Sequence, residues 1–562
     1  MHDHKTTETV DHTKSCKNCG ADFAITDVDM DFYKEIDMVE PTFCPECRQK
    51  RRLTWRNERS LYYRKCDATG KQILSNYAPD KPHKVYDNDY WYSDKWNPLD
   101  YGRDFDFNRP FFEQYNELIL AVPQLSRSVL NLQNCDFVNE CGWSKNCYLI
   151  FEADHNENCL YSNNIFNSKT SLDCFHAMKC EMCYECVNCV GCFNLKYSQN
   201  CQNCHDSWFL KNCIGCTNCY GCVNMRNKQH CYLNQKMTKE EYEAKIQSLN
   251  IKTAKQLNDA REKFNKYTET FPHKYMEGAQ NEDSDGNFLW NTQRCHQCFD
   301  LHYGQDCKYV FDSQHAKKVW DMTVFGETKG VEYCYDNHEI GSSLRNIFFC
   351  DQVWENCNDL YYCKLCMKNA HDLFGCVGVK HKEFCILNKK YSSEEYASLK
   401  KRIIEHMKKT GEWGEFPPSK YSPFAYNESV AQLHYPLDKE EALKKGFTWR
   451  DPDLKEYKPQ TYITPELIEN TPDTIINEIL ACEDCGKNYK IVEEELKFYK
   501  RQSLPIPLKC HDCRHLYRFA LRPPRILNPR TCYSCYAEIK TVYAKNRPEP
   551  VYCENCYHEA MD

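Results

Sequence analysis

Residues 16–91 align with residues 482–557 at a constant offset of 466, without a gap, and 23 of the 76 positions are identical. Cys16, Cys19, Cys44 and Cys47 thereby fall on Cys482, Cys485, Cys510 and Cys513. A structural zinc site needs four soft ligands in a tetrahedron; one CxxC turn aims two thiolates at one ion, and a second CxxC closes the site. The same arrangement twice in one chain constrains both ends to metal-nucleated modules. A third set, Cys532, Cys535, Cys553 and Cys556, follows in the C-terminal module. Its counterparts in the N-terminal copy are Cys66, Thr69, Asp87 and Tyr90. Thr and Tyr are poor zinc ligands, so that copy is expected to fold as a metal-free ribbon. Three structural zinc ions follow, not four.

A chain of 562 residues holds several domains, and its 40 cysteines sit in a sequence too long to be a small disulfide-stapled module. Met1–Ser15 is polar, with no apolar run of a secretory leader, and no segment approaches the roughly 20 apolar residues of a membrane span. The expectation is a cytoplasmic protein without a membrane partner, its cysteines kept as thiols or thiolates. A net charge of −8 means that any nucleic-acid affinity must come from local charge.

The organisation reads as an N-terminal module at 16–91, an aromatic helical connector at 92–134, and a Cys-rich block at 135–236. A helical insertion at 237–288, a second block at 289–390, a Pro-rich helical linker at 391–480 and the C-terminal module at 482–557 complete it. The middle, 135–390, carries 27 cysteines. Cys174, Cys183, Cys186, Cys189, Cys192 and Cys201 recur 30 residues later as Cys204, Cys213, Cys216, Cys219, Cys222 and Cys231. A longer repeat places Gly221, Cys222, Cys231 and Asn234 on Gly375, Cys376, Cys385 and Asn388. Thr238 with Glu241 and Ser392 with Glu395 form capping boxes, so each block ends where a helix begins. Repeats of this kind stack, because one alone cannot bury its apolar face. The expected fold is multidomain and mixed α+β: treble-clef or zinc-ribbon modules flanking a Cys-rich repeat region, read as a parallel β-solenoid with helical insertions.

The segments CKNCGADF…FCPECRQKRR and CEDCGKNYKI…KCHDCRH resemble the probable zinc-ribbon, treble-clef-like domain family. The wider pattern, with WYSDKWNPLDYG and GFTWRDPD, is similar to large Cys-rich proteins of uncultured bacterial lineages. The resemblance implies zinc binding and little more.

Arg48, Arg52, Arg56 and Arg59 share one helical face after the second CxxC, and Arg514, Arg518 and Arg522 repeat the pattern, with Arg525 beyond Pro523 and Pro524. A basic stripe interleaved with Trp55, Tyr62 and Tyr63 suits phosphate contact and base stacking. The alternatives are a solvated helix face, or internal pairing with the acidic run Asp27, Asp29, Asp31, Glu35 and Asp37. The CxxCxxCxxC runs at 183–192 and 213–222 admit additional metal, although a small apolar role for Cys in a narrow interior explains them as well. No P-loop, GxGxxG, HExxH or GxSxG pattern occurs, and His296, His302, His315 and His338 with Asp312, Asp336 and Asp351 single out no acid–base pair. The sequence therefore favours a non-catalytic binding or scaffold protein with structural zinc, whose partner would be nucleic acid or another protein; no small-molecule substrate is indicated. A glycan-acting enzyme and a thiolate-rich metal-storage or redox protein are the alternatives.

Overall fold

From Asn131 to Leu233 every third residue has a positive φ, between 44° and 67°. Two extended residues followed by one left-handed residue make a three-residue corner. Asn, Asp and Gly tolerate that conformation best, and Asn recurs there. The residue after each corner faces inward. Cys141, Cys147, Ile150, Ala153, Cys159, Ser162 and Ile165 occupy this position, none more than 4% exposed. Successive segments pair in parallel at an offset of twelve residues: Gln133 with Lys145, Lys145 with Glu157, and Glu157 with Lys169. Asn139, Phe151, Asn163 and Phe175 follow the same step. Corner asparagines stack at this spacing too, Asn134 donating to Asn146 (2.9 Å) and Asn146 to Asn158 (3.1 Å). The computed structural model describes residues 8–324, 330–451 and 457–561; Pro452 and the end of GFTWRDPD lie outside the described residues.

The 30-residue recurrence is thus not the pairing distance. Thirty residues are ten three-residue corners, a shift that keeps each Cys facing inward while the ladder steps by twelve. In the second block the step begins at twelve (Gln293 with Gln305, Gln305 with Lys317), lengthens to fifteen (Lys317 with Glu332), and then runs at thirteen (Glu332 with Arg345, Arg345 with Asn358). The first block gives sheets of five strands, and the second a mixed-length sheet of 13 that is parallel except at its last strand. Both interiors are built from Cys, Leu, Ile, Val, Ala and Met. Each block closes with a short antiparallel strand and then a helix, Lys239–Leu249 or Ser393–Thr410, and both helices carry the expected capping box.

The two end modules superimpose element for element. Helices Asp27–Glu35 and Pro45–Leu53 correspond to Glu493–Gln502 and His511–Ala520. The hairpin pairing Tyr62 with Ser75 and Lys65 with Gln72 corresponds to Asn528 with Thr541 and Thr531 with Glu538, the same register 466 residues on. Arg64 and Arg530 bond the carbonyls of Ala78 and His83, and of Ala544 and Glu549. The last strand of each module pairs in parallel with the segment leading into a block: Val85–Tyr86 with Gln124–Leu125, and Val551–Tyr552 with His273–Lys274.

The inward cysteines are thiols sealed from solvent. Burial pushes Cys334, Cys357 and Cys385 up to about 12, whereas hydrogen bonds from neighbouring cysteines lower Cys183, Cys216, Cys222 and Cys295, so it is exclusion of reagent that protects the row as a whole. Iodoacetamide on the native chain is expected to leave the central cysteines unmodified, apart from slow reaction at the partly exposed Cys135. Full labelling of all 27 should appear only on unfolding, as read by peptide mass spectrometry. Native labelling at Cys186 or Cys219 would contradict the inward placement.

Candidate metal centres and the arginine helices

Each metal centre is built by a CxxC turn at the end of a strand and a second CxxC opening a helix. Gly20 (φ +76°) and Gly486 (φ +71°) take the left-handed position that lets the first turn close, their amides donating to the Cys16 and Cys482 carbonyls at 2.9 Å. The Sγ atoms of Cys16, Cys19, Cys44 and Cys47 lie within 4.8 Å of one another, as do those of the 482, 485, 510, 513 and the 532, 535, 553, 556 sets. These are the metal-sized His/Cys/Asp/Glu groups among the described residues, so the central CxxC runs form none.

The spacing tests the fit. Four thiolates at the Zn–S distance of about 2.3 Å stand about 3.8 Å apart on a tetrahedron. Cys19 and Cys44 are 3.8 Å apart, and Cys485–Cys510 and Cys535–Cys553 are each 3.7 Å apart. All are far beyond a disulfide of about 2.05 Å, and every cysteine is free. Backbone amides stabilise the thiolates, Cys44 donating to Cys16 Sγ at 3.2 Å and Cys553 to Cys532 Sγ at 3.3 Å. Burial would raise the Cys532 thiol, but the amides of Cys535, Cys553 and Ser534 bring it down to about 6. Three tetra-cysteine sites therefore suit a soft tetrahedral ion, which would be held by thiolates alone and leave no open coordination position.

In the degenerate copy the scaffold survives without the ligands. Asp87 occupies the place of Cys553: its amide donates to Cys66 Sγ (3.3 Å), its carboxylate accepts from Cys66 Sγ (3.2 Å) and Thr69 Oγ1 (3.3 Å), and it caps the helix Asn88–Tyr92. Hydrogen bonds replace metal bonds.

The arginine stripe lies elsewhere than a solvent-facing phosphate surface. Arg48, Arg52 and Arg56 are at most 2% exposed, Arg514 is 6% and Arg518 0%. Nor are their partners the acidic run at 27–37. Arg48 pairs with Asp321 (2.8 Å) and Arg52 with Asp336 (2.6 Å) and Asp321 (3.3 Å), both on the second block. Arg51, absent from the expected stripe, joins Asp336 (3.0 Å) to Glu415 (2.7 Å). Asp29 is taken by Lys308 (3.0 Å) and Trp320 Nε1 (2.9 Å). In the C-terminal copy Arg514 pairs with Asp173 (3.2 Å), and Arg518 with Asp173 (2.8 Å) and Glu185 (3.3 Å), on the first block. Arg59 bonds Asn163 Oδ1 (2.6 Å) and Asp512 (3.3 Å), while Arg522 and Arg525 bind Asp300.

These carboxylates share one structural origin: Asp173, Glu185, Asp300, Asp321 and Asp336 all sit at left-handed corners. Counting coils back from Gly221 and Gly375 aligns Tyr161, Asp173, Glu185, Tyr197 and Phe209 with Tyr309, Asp321, Asp336, Phe349 and Tyr362. One corner row therefore receives an arginine helix in each block. Each module bridges both blocks, its ribbon pairing with the head of one and its helix docking on the other, and the two modules do so reciprocally. Sequence reasoning missed Asp173, Glu185, Asp300 and Asp321, and named Asp336 without its arginines, because these residues lie between the cysteines it followed.

The histidines and aspartates singled out earlier serve packing. His302 stacks on Trp290 and His315 on Tyr303, buried His338 bonds Asp351 (2.7 Å), and His296 stands 3.6 Å from Asp285. Asp312 and Asp336 are committed to arginines. No helix among the described residues is long and apolar enough to cross a membrane.

No curated protein matches the chain. The model of a probable treble clef domain matches residues 10–54, which hold the strand pair, both helices and the first four-cysteine centre.

Proposed function

We propose that this chain is a non-catalytic, zinc-braced scaffold of a reducing compartment, in which three tetrathiolate zinc ions hold two arginine helices across a pair of parallel β-solenoids. The carrying observation is the reciprocal docking of Arg48 and Arg52 on Asp321 and Asp336, and of Arg514 and Arg518 on Asp173 and Glu185. The solenoid reading is supported by the twelve-residue parallel steps, the inward triplet and the stacked asparagine corners. Closed thiolate sites that leave no position for substrate support a structural role for the metal. A nucleic-acid role through the arginine stripe has no support in this reading, since those guanidiniums meet carboxylates inside the molecule. Native mass spectrometry with elemental analysis is the test. Three zinc ions per chain and no iron are expected; iron at the thiolates, or metal retained after all three four-cysteine sets are changed to Ser, would overturn the assignment.

A further inference from the structure

The two arginine helices are twins, but one spot where they differ is a cavity. Arg56 and Arg522 are equivalent, and coil counting pairs the surroundings of Arg56, namely Glu58, Glu140, Glu152 and Glu339, with Pro524, Phe288, Asp300 and Asn188 around Arg522. At Arg522 the charges balance: Arg522 and Arg525 meet Asp300 and Asp312, and the remaining space, about 150 Å³, is lined by Phe288, His434, Tyr435 and Phe519. At Arg56 one guanidinium meets Glu58 (2.6 Å), Glu339 (3.3 Å) and Glu152 (3.8 Å), and Glu140 is hydrogen-bonded to Glu339. Arg56 Nη1 is buried and faces the Glu339 carboxylate at 3.3 Å, out of line for a hydrogen bond. Beside this cluster lies a cavity of about 650 Å³, with Tyr92, Trp143, Phe166 and Trp354 among its walls. Lys368 is the other cation on its lining, and Asp89, Asp154 and Glu355 also line it.

We propose that this cavity binds a small organic ammonium ion, its charge set between Glu140 and Glu339 and its carbon skeleton against Trp143 and Trp354. Four carboxyls crowd one guanidinium in low dielectric, with Arg525 and Lys364 acting on Glu152 and Glu339 only through space, so the group is short of positive charge, and the twin site shows that this fold does not require it. Aromatic faces in the same chamber supply both apolar contact and the quadrupole that attracts a desolvated cation. The volume suits a ligand of small-molecule size. The titration state agrees: burial, and Glu58 nearby, push Glu152 up to about 8, whereas at the twin position the two arginines outweigh burial and bring Asp300 down to about 2. No sequence pattern announces the site, because its residues come from four separate stretches of chain.

The full-length protein should be titrated calorimetrically with spermidine, phenethylamine and choline, and with maltotriose as a neutral, ring-stacking comparator. At least one amine is expected to bind, and Glu140→Gln and Glu339→Gln should each weaken it at least tenfold, while Glu394→Gln on an exposed helix leaves it unchanged. Without ligand, Glu140→Gln should leave the melting temperature unchanged, because burial already holds that carboxyl protonated and Gln keeps the hydrogen bond to Glu339; this readout separates loss of binding from loss of fold. Binding of maltotriose as tight as that of the amines, amine binding untouched by both substitutions, or no binding by any of the three amines would overturn the proposal.

Discussion

Arg518→Met is expected to destabilise the protein by about 3–5 kcal/mol, read as a lowered urea midpoint, because it leaves buried Glu185 without its ion-pair partner and Asp173 with Arg514 alone. Arg518 is 0% exposed, and besides pairing with Asp173 and Glu185 it donates to the Tyr161 carbonyl at 3.1 Å. Asp173 is likewise 0% exposed, so the methionine cannot be replaced by water without opening the docked face. The twin substitution Arg52→Met leaves Asp321 to Arg48 and Asp336 to Arg51, so it should also destabilise, but by less. Arg109→Met is the control: its partner Glu117 is exposed, and a surface pair of this kind contributes about 1 kcal/mol or less. Changing Glu185 to Gln together with Arg518→Met should recover part of the loss, because the second change removes the carboxylate left without an ion pair. A loss below about 1 kcal/mol for both Arg518→Met and Arg52→Met would mean that the helices are not docked as described.

The metal sites were legible because their chemistry is local. Two CxxC turns at matched spacing dictate a tetrahedron whatever surrounds them, and Gly20 and Gly486 mark the tight turn directly. The metal-free ribbon was legible for the same reason, since Thr69 and Tyr90 visibly fail as ligands. The capping boxes at Thr238 and Ser392 rest on contacts three residues apart and were equally readable. The ladder step was not read, although its signal was present. Every cysteine from Cys135 to Cys231 lies a multiple of three residues from the next, and a recurrence of 30 hides a smaller unit that divides it. The fate of the arginines was not readable at all. Whether a guanidinium finds phosphate or carboxylate depends on what folds against it, and Asp321 lies 273 residues from Arg48. The acidic run at 27–37 was the nearest partner in sequence, yet Asp29 is claimed by Lys308 and Trp320 and Glu35 by Lys318. Local spacing decides coordination, but only the packed fold decides ion pairing. The cavity beside Arg56 is a further step removed: it becomes visible only when the two halves are compared, and the comparison needs the coil register.

Removal of metal should act at a distance that chain order would not suggest. The N-terminal module precedes the first block in sequence, yet its helix Pro45–Leu53 lies on the strands Ala316–Thr323 and Val331–Ile340 of the second. The Cys16/Cys19/Cys44/Cys47 centre is what ties that helix to the strand pair Val10–Ser15 and Asp22–Thr26. Binding of structural zinc supplies about 10–16 kcal/mol of folding free energy in small domains, so a module of this size should not persist once Cys16→Ser and Cys19→Ser open the site. Hydrogen–deuterium exchange on this double variant is expected to show lost protection at 10–54 and, with it, at residues 309–324 and 331–336 of the second block. There Phe32 has left its stack on Trp320 (3.9 Å between ring centroids), and Arg48 and Arg52 have left Asp321 and Asp336. The first block should keep its protection near Asp173, because that corner row is covered by the other module. The pairing of Val85–Tyr86 with Gln124–Leu125 should hold too, since the metal-free ribbon does not depend on the ion. Cys482→Ser with Cys485→Ser should give the reciprocal pattern, deprotecting 161–185 and sparing 309–324 and 331–336. Exchange confined to each variant's own module, or spreading to the block adjacent in sequence instead of the block docked in space, would refute the crossed bridging on which the scaffold reading rests.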